Sequence, residues 1–354
     1  MTTTSSDLPR GFAGLQYPIT QVSLVVRDLE QTMERYWRAF GWSGWDVFDH
    51  KPPMHRNTEL RGERAHYTLK GAEVMVGSLN FELLEPVDGP SLWKEFIEER
   101  GEGVASIAVM FKTMEEGEAL KREFAARGMP VTMKANIGDH IEYYYLDTQE
   151  RFGCLIESGS GHAADFVKPA YVYPTPDAPP TDKPATLNYG VTQVSVVVRD
   201  LDARMRAYHE AFGWGPWKIF ESDGKTIMHD CELDGQPVDY FNIRWAETQV
   251  GDLNFELIEP LGGDNPWKRM LDTKGEGIGS IAVMFKLREE SQQVIDEFAA
   301  MGLGITAKAA IGDHIEWYYL DTEPGFKCVI ESGSGHAIDF MEPIAIYPET
   351  PADS

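Results

Sequence analysis

"QVSLVVRDLEQTMERYWRAFG", residues 21–41, is the stretch that decides the fold of this chain. It opens with apolar, mostly branched residues that favour a strand, and then places acidic residues ahead of an apolar pattern of helical period. Residues 106–128, "SIAVMFKTMEEGEALKREFAARG", have the same profile. Each stretch therefore predicts a strand followed directly by an amphipathic helix.

Segments of alternating polarity, rich in aromatic and branched residues, follow each predicted helix. They are "WDVFD", "RAHYTLKG" and "VGSLNFELLEP" after the first, and "VTMKA", "HIEYYYLD" and "FGCLIESG" after the second. Such segments predict strands, so the repeating unit is β-α-β-β-β. One unit has a single helix and a single sheet face, and it cannot bury its apolar surface alone. We expect two units to form an eight-stranded sheet curled into a half-barrel, with a cleft inside.

The whole pattern occurs twice. "IGDHIEYYYLDT" at 137–148 returns as "IGDHIEWYYLDT" at 311–322, and "SIAVMFK" occurs at both 106 and 280. Ordered repetition on this scale indicates duplication of a complete domain. Proline-rich residues 173–186 predict an extended linker. The predicted fold class is α+β, with four βαβββ modules paired into two eight-stranded open half-barrels, in domains at 11–172 and 187–347.

Composition restricts the partners. The chain has 57 acidic and 32 basic residues, a net charge of −25, which disfavours binding to nucleic acid or to an anionic membrane. Residues 1–17 show no basic region followed by an apolar core, so we expect no secretion signal, and no run approaches the roughly 18 apolar residues of a membrane span. Its three distant cysteines favour a reducing compartment. We expect a cytoplasmic monomer or homodimer that binds a small molecule.

Paired β-α-β-β-β units resemble the vicinal oxygen chelate superfamily, which includes glyoxalase I, extradiol dioxygenases and bleomycin-resistance proteins. The motifs "VVRDLEQTMERYWRAFGWSGW", "NFELLEP", "WKEFIEERGEGVASIAVMF" and "YYYLDTQERFGCLIES" are most similar to the methylmalonyl-CoA epimerase branch. The resemblance implies a glyoxalase-like fold over nearly the whole chain, in tandem form.

In that superfamily, side chains on the first and last strands of each unit usually hold a divalent metal. The resemblance assigns these positions to Gln21, Glu82, Ser106 and Glu157, and in the second half to Gln193, Glu256, Ser280 and Glu331. The histidines common in the family are absent from both copies. Glutamine and carboxylate oxygens are hard donors that suit Mg or Mn rather than Zn, Ni or Fe(II). The cofactor stays open between none and Mg or Mn bound by Gln21, Glu82, Glu157, Gln193, Glu256 and Glu331.

Glu157 and Glu331 are the strongest catalytic candidates. Each lies among apolar neighbours on a predicted central strand, where burial raises a carboxyl pKa towards the value a general base requires. His140 and His314, in the repeated stretch, are further acid–base candidates, since imidazole titrates near neutral pH. Alternation puts His140 on one strand face and Tyr145 on the other, and the sequence leaves open which face lines the cleft.

Gln21, Ser106 and Tyr145 are the predicted substrate-binding residues of the first domain, and Gln193, Ser280 and Tyr319 are those of the second. The glutamine and serine side chains would donate hydrogen bonds to a developing oxyanion in place of a metal. His162 and His336 follow the last strand in a glycine-rich turn, and we assign them to turn chemistry rather than to catalysis.

Three functions remain open. The first is an isomerase, epimerase or lyase that moves a proton beside a carbonyl or phenolic oxygen of a small aromatic or flat oxygenated substrate. The second is a sequestering protein similar to the bleomycin-resistance members, and the third is an extradiol-type dioxygenase. Both halves have the same candidate set, so we expect two sites.

Overall fold

The computed structural model describes residues 17–111, 113–178, 181, 190–222, 227–284 and 290–349. The first domain has the following elements: β1 (Gln21–Val25), α1 (Leu29–Phe40), β2 (Trp45–His50), β3 (His55–Leu60), β4 (Glu63–Arg64), β5 (Thr68–Val76), β6 (Leu79–Asp88), α2 (Leu92–Arg100), β7 (Gly103–Ala108), α3 (Met114–Ala126), β8 (Val131–Ile137), β9 (Ile141–Leu146), α4 (Gln149–Phe152), β10 (Leu155–Gly159), α5 (Ala163–Phe166) and β11 (Tyr171–Tyr173).

The second domain repeats this order in its described residues. Its elements are β12 (Gln193–Val197), α6 (Leu201–Phe212), β13 (Trp217–Ser222), β14 (Met228–Leu233), β15 (Gln236–Pro237), β16 (Asn242–Val250), β17 (Leu253–Gly262), α7 (Pro266–Thr273), β18 (Gly277–Ala282), α8 (Ser291–Ala300), β19 (Ile305–Ile311), β20 (Ile315–Leu320), α9 (Glu323–Phe326), β21 (Val329–Gly333), α10 (Ala337–Phe340) and β22 (Ala345–Tyr347).

Within these residues each domain forms one curled, open sheet of eleven strands rather than the eight that we predicted from the sequence. The first sheet has the order β11-β2-β5-β6-β1-β7-β10-β9-β8-β3-β4, and the second has the equivalent order. The eight predicted strands form the centre. The β3–β4 hairpin adds to one edge by pairing with β8, and β11 adds to the other by pairing with β2. The strand β3 was not among the strands predicted from the sequence, because its partner β8 lies some 80 residues away along the chain.

The predicted strand–helix boundary at the start of the chain is confirmed, and its cause is local. Asp28 caps α1 by accepting a hydrogen bond from the backbone N–H of Gln31 at 2.9 Å. The helix ends at Gly41, which adopts the left-handed conformation at φ 69° that a residue without a side chain reaches at no steric cost. Asp200 and Gly213 do the same for α6. Half of the predicted linker, residues 179–180 and 182–186, lies outside the described residues.

The two faces of each sheet have different partners. Val22 and Leu24 of β1 point to the outer face, where they join an apolar cluster containing residues of both domains. Gln21, Ser23 and Val25 point to the inner face, because side chains alternate along a strand. A separate cluster on the inner side includes Trp93 of α2, and its counterpart in the second domain includes Trp267 of α7. The helices α2 and α7 therefore cover part of each concave face.

Two reciprocal tyrosine contacts join the domains. The hydroxyl of Tyr36 on α1 donates to the carbonyl oxygen of Phe326 at 2.9 Å, and that of Tyr208 on α6 donates to Phe152 at 3.0 Å. Both tyrosines are fully buried. None of the helices in the described ranges is long and apolar enough to cross a membrane, and all three cysteines are buried and unbridged.

We expect Tyr36→Phe and Tyr208→Phe each to lower the free energy of unfolding by about 1 kcal/mol, because each leaves a buried carbonyl oxygen without its donor. Urea denaturation followed by tryptophan fluorescence measures the loss. The exposed Tyr240→Phe is the control and should change nothing measurable. Unfolding free energies equal to wild type in both buried variants would contradict a role for these hydroxyls in holding the domains together.

Candidate active site

The concave face of each sheet encloses a small cavity, of about 30 Å³ in the first domain and about 40 Å³ in the second. By volume each holds only two to four water molecules, at roughly 10–15 Å³ per water. The two cavities share a set of lining residues: Gln21, Glu73, Glu82, Trp93, Tyr145, Glu157 and His162 in the first, and Gln193, Glu247, Glu256, Trp267, Tyr319, Glu331 and His336 in the second.

Strand register brings three carboxyl groups to this face. Glu82 on β6 pairs with Glu73 on β5 and with Ser23 on β1, so all three side chains point inward. Glu157 on β10 is placed opposite Tyr145 on β9. Each of the three glutamates is less than 9% exposed. Glu247, Glu256 and Glu331 occupy the corresponding positions in the second sheet.

Burial without a basic neighbour sets the protonation of these groups. Among the described residues, no lysine or arginine lines either cavity. Desolvation raises the pKa of Glu157 to about 7, and the neighbouring charge of Glu73 adds to the effect. Desolvation, together with the charges of Glu157 and Glu73, raises the pKa of Glu82 well above its ordinary value. At neutral pH Glu82 is therefore a neutral acid, while Glu157 exchanges its proton readily.

The pKa values of the corresponding carboxyl groups in the second domain are shifted in the same way. Desolvation and the charge of Glu247 raise the pKa of Glu331 to about 8. The pKa of Glu256 is raised well above its ordinary value by burial and by the charge of Glu331. Each cavity thus combines one carboxyl that titrates near neutrality with one that keeps its proton.

A hydrogen-bond network orients Glu82. Its Oε2 accepts from Gln21 Nε2 at 2.6 Å and from the Ser23 hydroxyl at 2.7 Å. Gln21 Oε1 lies 2.6 Å from Nδ1 of His162. Both ends of the Gln21 amide are thus engaged within the protein, which leaves it poorly placed for the predicted task of donating to an oxyanion.

The phenol of Tyr145 positions the titrating carboxyl. It donates to Glu157 Oε2 at 2.8 Å and accepts from Trp93 Nε1 at 3.3 Å. In the second cavity Trp267 Nε1 donates to the Tyr319 hydroxyl at 2.8 Å. The face of the repeated strand that carries Tyr145 and Tyr319 therefore lines the cleft.

His140 and His314 lie outside the cavities. Both are exposed residues in the turn before their strand, and they stack on Phe166 and Phe340 at ring distances of 6.1 and 5.9 Å. The structure does not bring them to the cavities, so the predicted acid–base role of these histidines finds no geometric support. The reason is the one-residue alternation of the strand, which sends His140 away from the face that Tyr145 occupies.

Ser106 and Ser280 are buried on the inner face of their sheets, opposite Ser23 and Ser195, but neither lines its cavity. The Ser106 hydroxyl has no hydrogen-bond partner, whereas that of Ser280 lies 3.4 Å from the Tyr319 hydroxyl and 3.5 Å from Glu331 Oε2. Of the predicted set, the structure brings together Gln21, Glu82, Tyr145 and Glu157, and likewise Gln193, Glu256, Tyr319 and Glu331, around each cavity.

Sequence reasoning missed Glu73 and Glu247, and it assigned His162 to the turn alone. Glu73 accepts hydrogen bonds from Asn80 Nδ2 at 3.0 Å and from the backbone N–H groups of Ala163 and Ala164 at 3.1 and 3.3 Å. The signal for Glu73 was available, because a hairpin with a two-residue turn at 77–78 places the glutamate of "GAEVMV" directly opposite Glu82, on the same face. The position of His162 depends on the packing of α5 and could not be predicted from the sequence.

The residues at the superfamily's metal positions do not fit its divalent ion. The Gln21 amide is used at both ends, and the Ser106 hydroxyl is not among the groups that line the cavity. Over the described ranges, no group of three or more His, Cys, Asp and Glu side chains is placed to hold a metal. No chemical step is therefore derived through a metal.

The raised pKa of Glu157 predicts a pH-dependent stability. The folded state holds the proton up to about pH 7, whereas an ordinary glutamate releases it near 4.5. The folded protein binds more protons in this window, so Glu157 lowers the free energy of unfolding as the pH rises through it. We expect Glu157→Gln to gain stability relative to wild type between pH 5 and pH 8, as measured by urea denaturation. The exposed Glu63→Gln is the matched control, and a pH-independent difference for Glu157→Gln would contradict the assignment.

Comparisons with known proteins identify the family of this chain. The family model for the Glyoxalase/Bleomycin resistance protein/Dioxygenase superfamily matches residues 20–145 and 192–319. An uncharacterized protein of Bacillus subtilis (strain 168), YqjC, is 31% identical over 87 residues, which cover 22% of this chain and 59% of that protein's length.

Among solved structures, a triple mutant of 4-hydroxymandelate synthase from Streptomyces coelicolor has a similar fold, with a TM-score of 0.52 and 12% identity over 90% of this chain and 92% of that one. Catechol 2,3-dioxygenase is similar with a TM-score of 0.48 and 15% identity, over 94% and 90% of the two chains. The family model shows the superfamily, and the methylmalonyl-CoA epimerase branch is not shown. The chain belongs to the Glyoxalase/Bleomycin resistance protein/Dioxygenase superfamily, whose domain it contains twice.

Proposed function

We propose that this protein is an isomerase, epimerase or lyase that transfers a proton next to a carbonyl or phenolic oxygen of a small substrate. Glu157 is the general base in the first cavity and Glu331 in the second. The observation that supports this most directly is the pair of neighbouring carboxyls whose pKa values are driven apart. Such pairs divide acid and base roles between two chemically identical groups.

Each carboxyl has a defined task in this scheme. Glu157, hydrogen-bonded to Tyr145, removes the substrate proton and becomes a neutral carboxyl. The electron pair of the broken C–H bond moves to the adjacent oxygen as an enolate. The protonated Glu82 donates a hydrogen bond to that oxygen, the task first assigned to Gln21. Return of the proton from Glu157 to a neighbouring carbon or to the opposite face completes an isomerisation or epimerisation, and departure of a leaving group completes an elimination.

The charge of the cavities supports a neutral reacting group. Three buried carboxyls face each cavity without a basic side chain among the described lining residues, so an anionic group entering it would meet uncompensated negative charge. A carboxylate or phosphate of the substrate would have to stay outside. The volume of about 30–40 Å³ further favours entry of the oxygenated end of a substrate alone.

Proton exchange into deuterated solvent tests this proposal without a known substrate. We expect the protein to accelerate loss of the α-C–H signal of a neutral α-hydroxy ketone or diketone, such as hydroxyacetone or acetylacetone, followed by ¹H NMR in D₂O. The Glu157→Gln and Glu331→Gln double variant should lose this activity by about 10²-fold or more, since it removes both general bases. Between pH 6 and pH 9 the wild-type rate should rise as Glu157 and Glu331 ionise.

Two outcomes would overturn it. Binding of these compounds without exchange above the buffer rate would favour the sequestering function instead. Stoichiometric iron in protein purified without chelators, with oxygen uptake on catechols, would favour the extradiol dioxygenase function. Glu150→Gln, a change at an exposed position outside the cavities, is the control and should retain full exchange.

A further inference from the structure

The two cavities share their carboxyl groups but differ at one wall, where β2 meets β5 and β13 meets β16. In the first domain this wall contains His50 and Gly71, and in the second Ser222 and Trp245. Phe48 pairs with Gly71 and Phe220 pairs with Trp245, so the residues occupy equivalent register positions. The two walls therefore have the same backbone arrangement and differ only in these side chains.

The His50 ring and the Trp245 ring occupy equivalent places in the two walls. A side-chain carbon added to Gly71 would lie 2.9 Å from His50 Nε2, closer than packed atoms allow. The His50 ring stacks on Phe48 at 5.7 Å, and the Trp245 ring stacks on Phe220 at 5.3 Å. An imidazole from one strand fills the space in the first domain, and an indole from the neighbouring strand fills it in the second. Neither position can change alone without a clash or a void.

The polarity of the wall changes with the exchange. His50 is 4% exposed, lines the cavity, and makes no hydrogen bond to any described residue. Burial and the nearby His55 lower its pKa to about 3, so at neutral pH the ring is uncharged and offers one donor and one acceptor. Trp245 also lines its cavity, but its Nε1 donates to Glu247 Oε1 at 3.1 Å, which leaves an apolar ring towards the ligand.

A second wall differs in the same sense. Tyr143 lines the first cavity with its hydroxyl 2.8 Å from His55 Nε2 and 3.4 Å from the hydroxyl of Tyr67. The corresponding residues of the second domain are Trp317, Met228 and Phe241, which supply no hydroxyl or imidazole. Two walls of the second cavity have therefore lost hydrogen-bonding groups together, as divergent ligands would require.

We propose that the two cavities bind different ligands. The first takes a small neutral molecule that exchanges hydrogen bonds with His50 through a hydroxyl or carbonyl group beyond its reacting carbon. The second takes a molecule that presents an apolar or aromatic surface to Trp245. His50 and Gly71 determine the ligand preference of the first cavity, and Ser222 and Trp245 determine that of the second. The inference rests on the proposed function only in taking both cavities as ligand sites.

NMR titration of the full chain tests it, with hydroxyacetone and butan-2-one as probes. These ketones have the same number of heavy atoms and differ by a hydroxyl in place of a methyl group. The indole N–H signal of Trp93 reports the first cavity and that of Trp267 the second, each assigned from a Trp→Phe variant. We expect hydroxyacetone to bind the first cavity about three- to tenfold more tightly than butan-2-one, because it makes one additional hydrogen bond. At the second cavity this preference should vanish or reverse.

A wall exchange supplies the matched variants. His50→Ser combined with Gly71→Trp should give Trp93 the ligand preference of the second cavity and leave Trp267 unchanged. Ser222→His combined with Trp245→Gly should do the reverse. The unmodified domain of each variant is an internal control for folding. His50→Leu, which keeps Gly71, removes the polar group alone and should abolish the hydroxyacetone preference if the double variant does not fold.

The same measurements can overturn the inference. It is contradicted if, in the wild type, the ratio of the dissociation constants of hydroxyacetone and butan-2-one is the same at Trp93 as at Trp267. It is also contradicted if hydroxyacetone causes no saturable shift of the Trp93 signal. A preference at Trp93 that survives both the double variant and His50→Leu would remove His50 as its origin. Because binding is measured without turnover, a protein that binds selectively but fails the deuterium-exchange test would lose the proposed enzyme function and keep this inference.

Discussion

Three carboxyl groups buried on one face of a single sheet, without a basic partner among the described cavity residues, form the constraint on which the site depends. Ionising all three of Glu73, Glu82 and Glu157 together would place like charges in a medium that screens them poorly. The cavity responds by keeping Glu82 protonated and leaving Glu157 near its titration point. Burial and the charges of Glu157 and Glu73 raise the pKa of Glu82 in spite of the hydrogen bonds that Gln21 and Ser23 donate to it, whereas the hydrogen bond from Tyr145 favours the ionised form of Glu157.

The fold supplies the enclosure that makes such burial possible. A strongly curled sheet has one concave face, and here helices α2 and α7 each place a tryptophan on part of it. The opposite faces and the outer helices form one apolar cluster shared by both domains, closed by the reciprocal contacts of Tyr36 and Tyr208. Because the inner clusters are separate while the outer core is shared, each cavity can change its walls without disturbing how the domains are joined.

Duplication has preserved one part of the site and changed another. The glutamates, the central tyrosine and the tryptophan that contacts it recur at equivalent positions in both halves. The wall formed by His50 and Gly71 does not recur. In its place, Ser222 and Trp245 put an indole ring where the first cavity has an imidazole, and the indole N–H is already bonded to Glu247. A copy that had merely decayed would lose its carboxyls first, since a buried acid without a use only destabilises the fold. Two cavities that retain the same carboxyl groups but differ in their wall residues are expected to differ in ligand specificity.

The sequence by itself determined the duplication, the strand–helix order and the inward position of Glu157 and Glu331, because periodicity and repetition are local properties of the chain. It also identified the missing histidines at the family's metal positions. Only the tertiary structure decided that His140 and His314 face away, that His162 completes the cavity, and that the β3–β4 hairpin extends the sheet. Each of these depends on strand register and long-range packing, where a shift of one residue reverses the face and a partner lies tens of residues away.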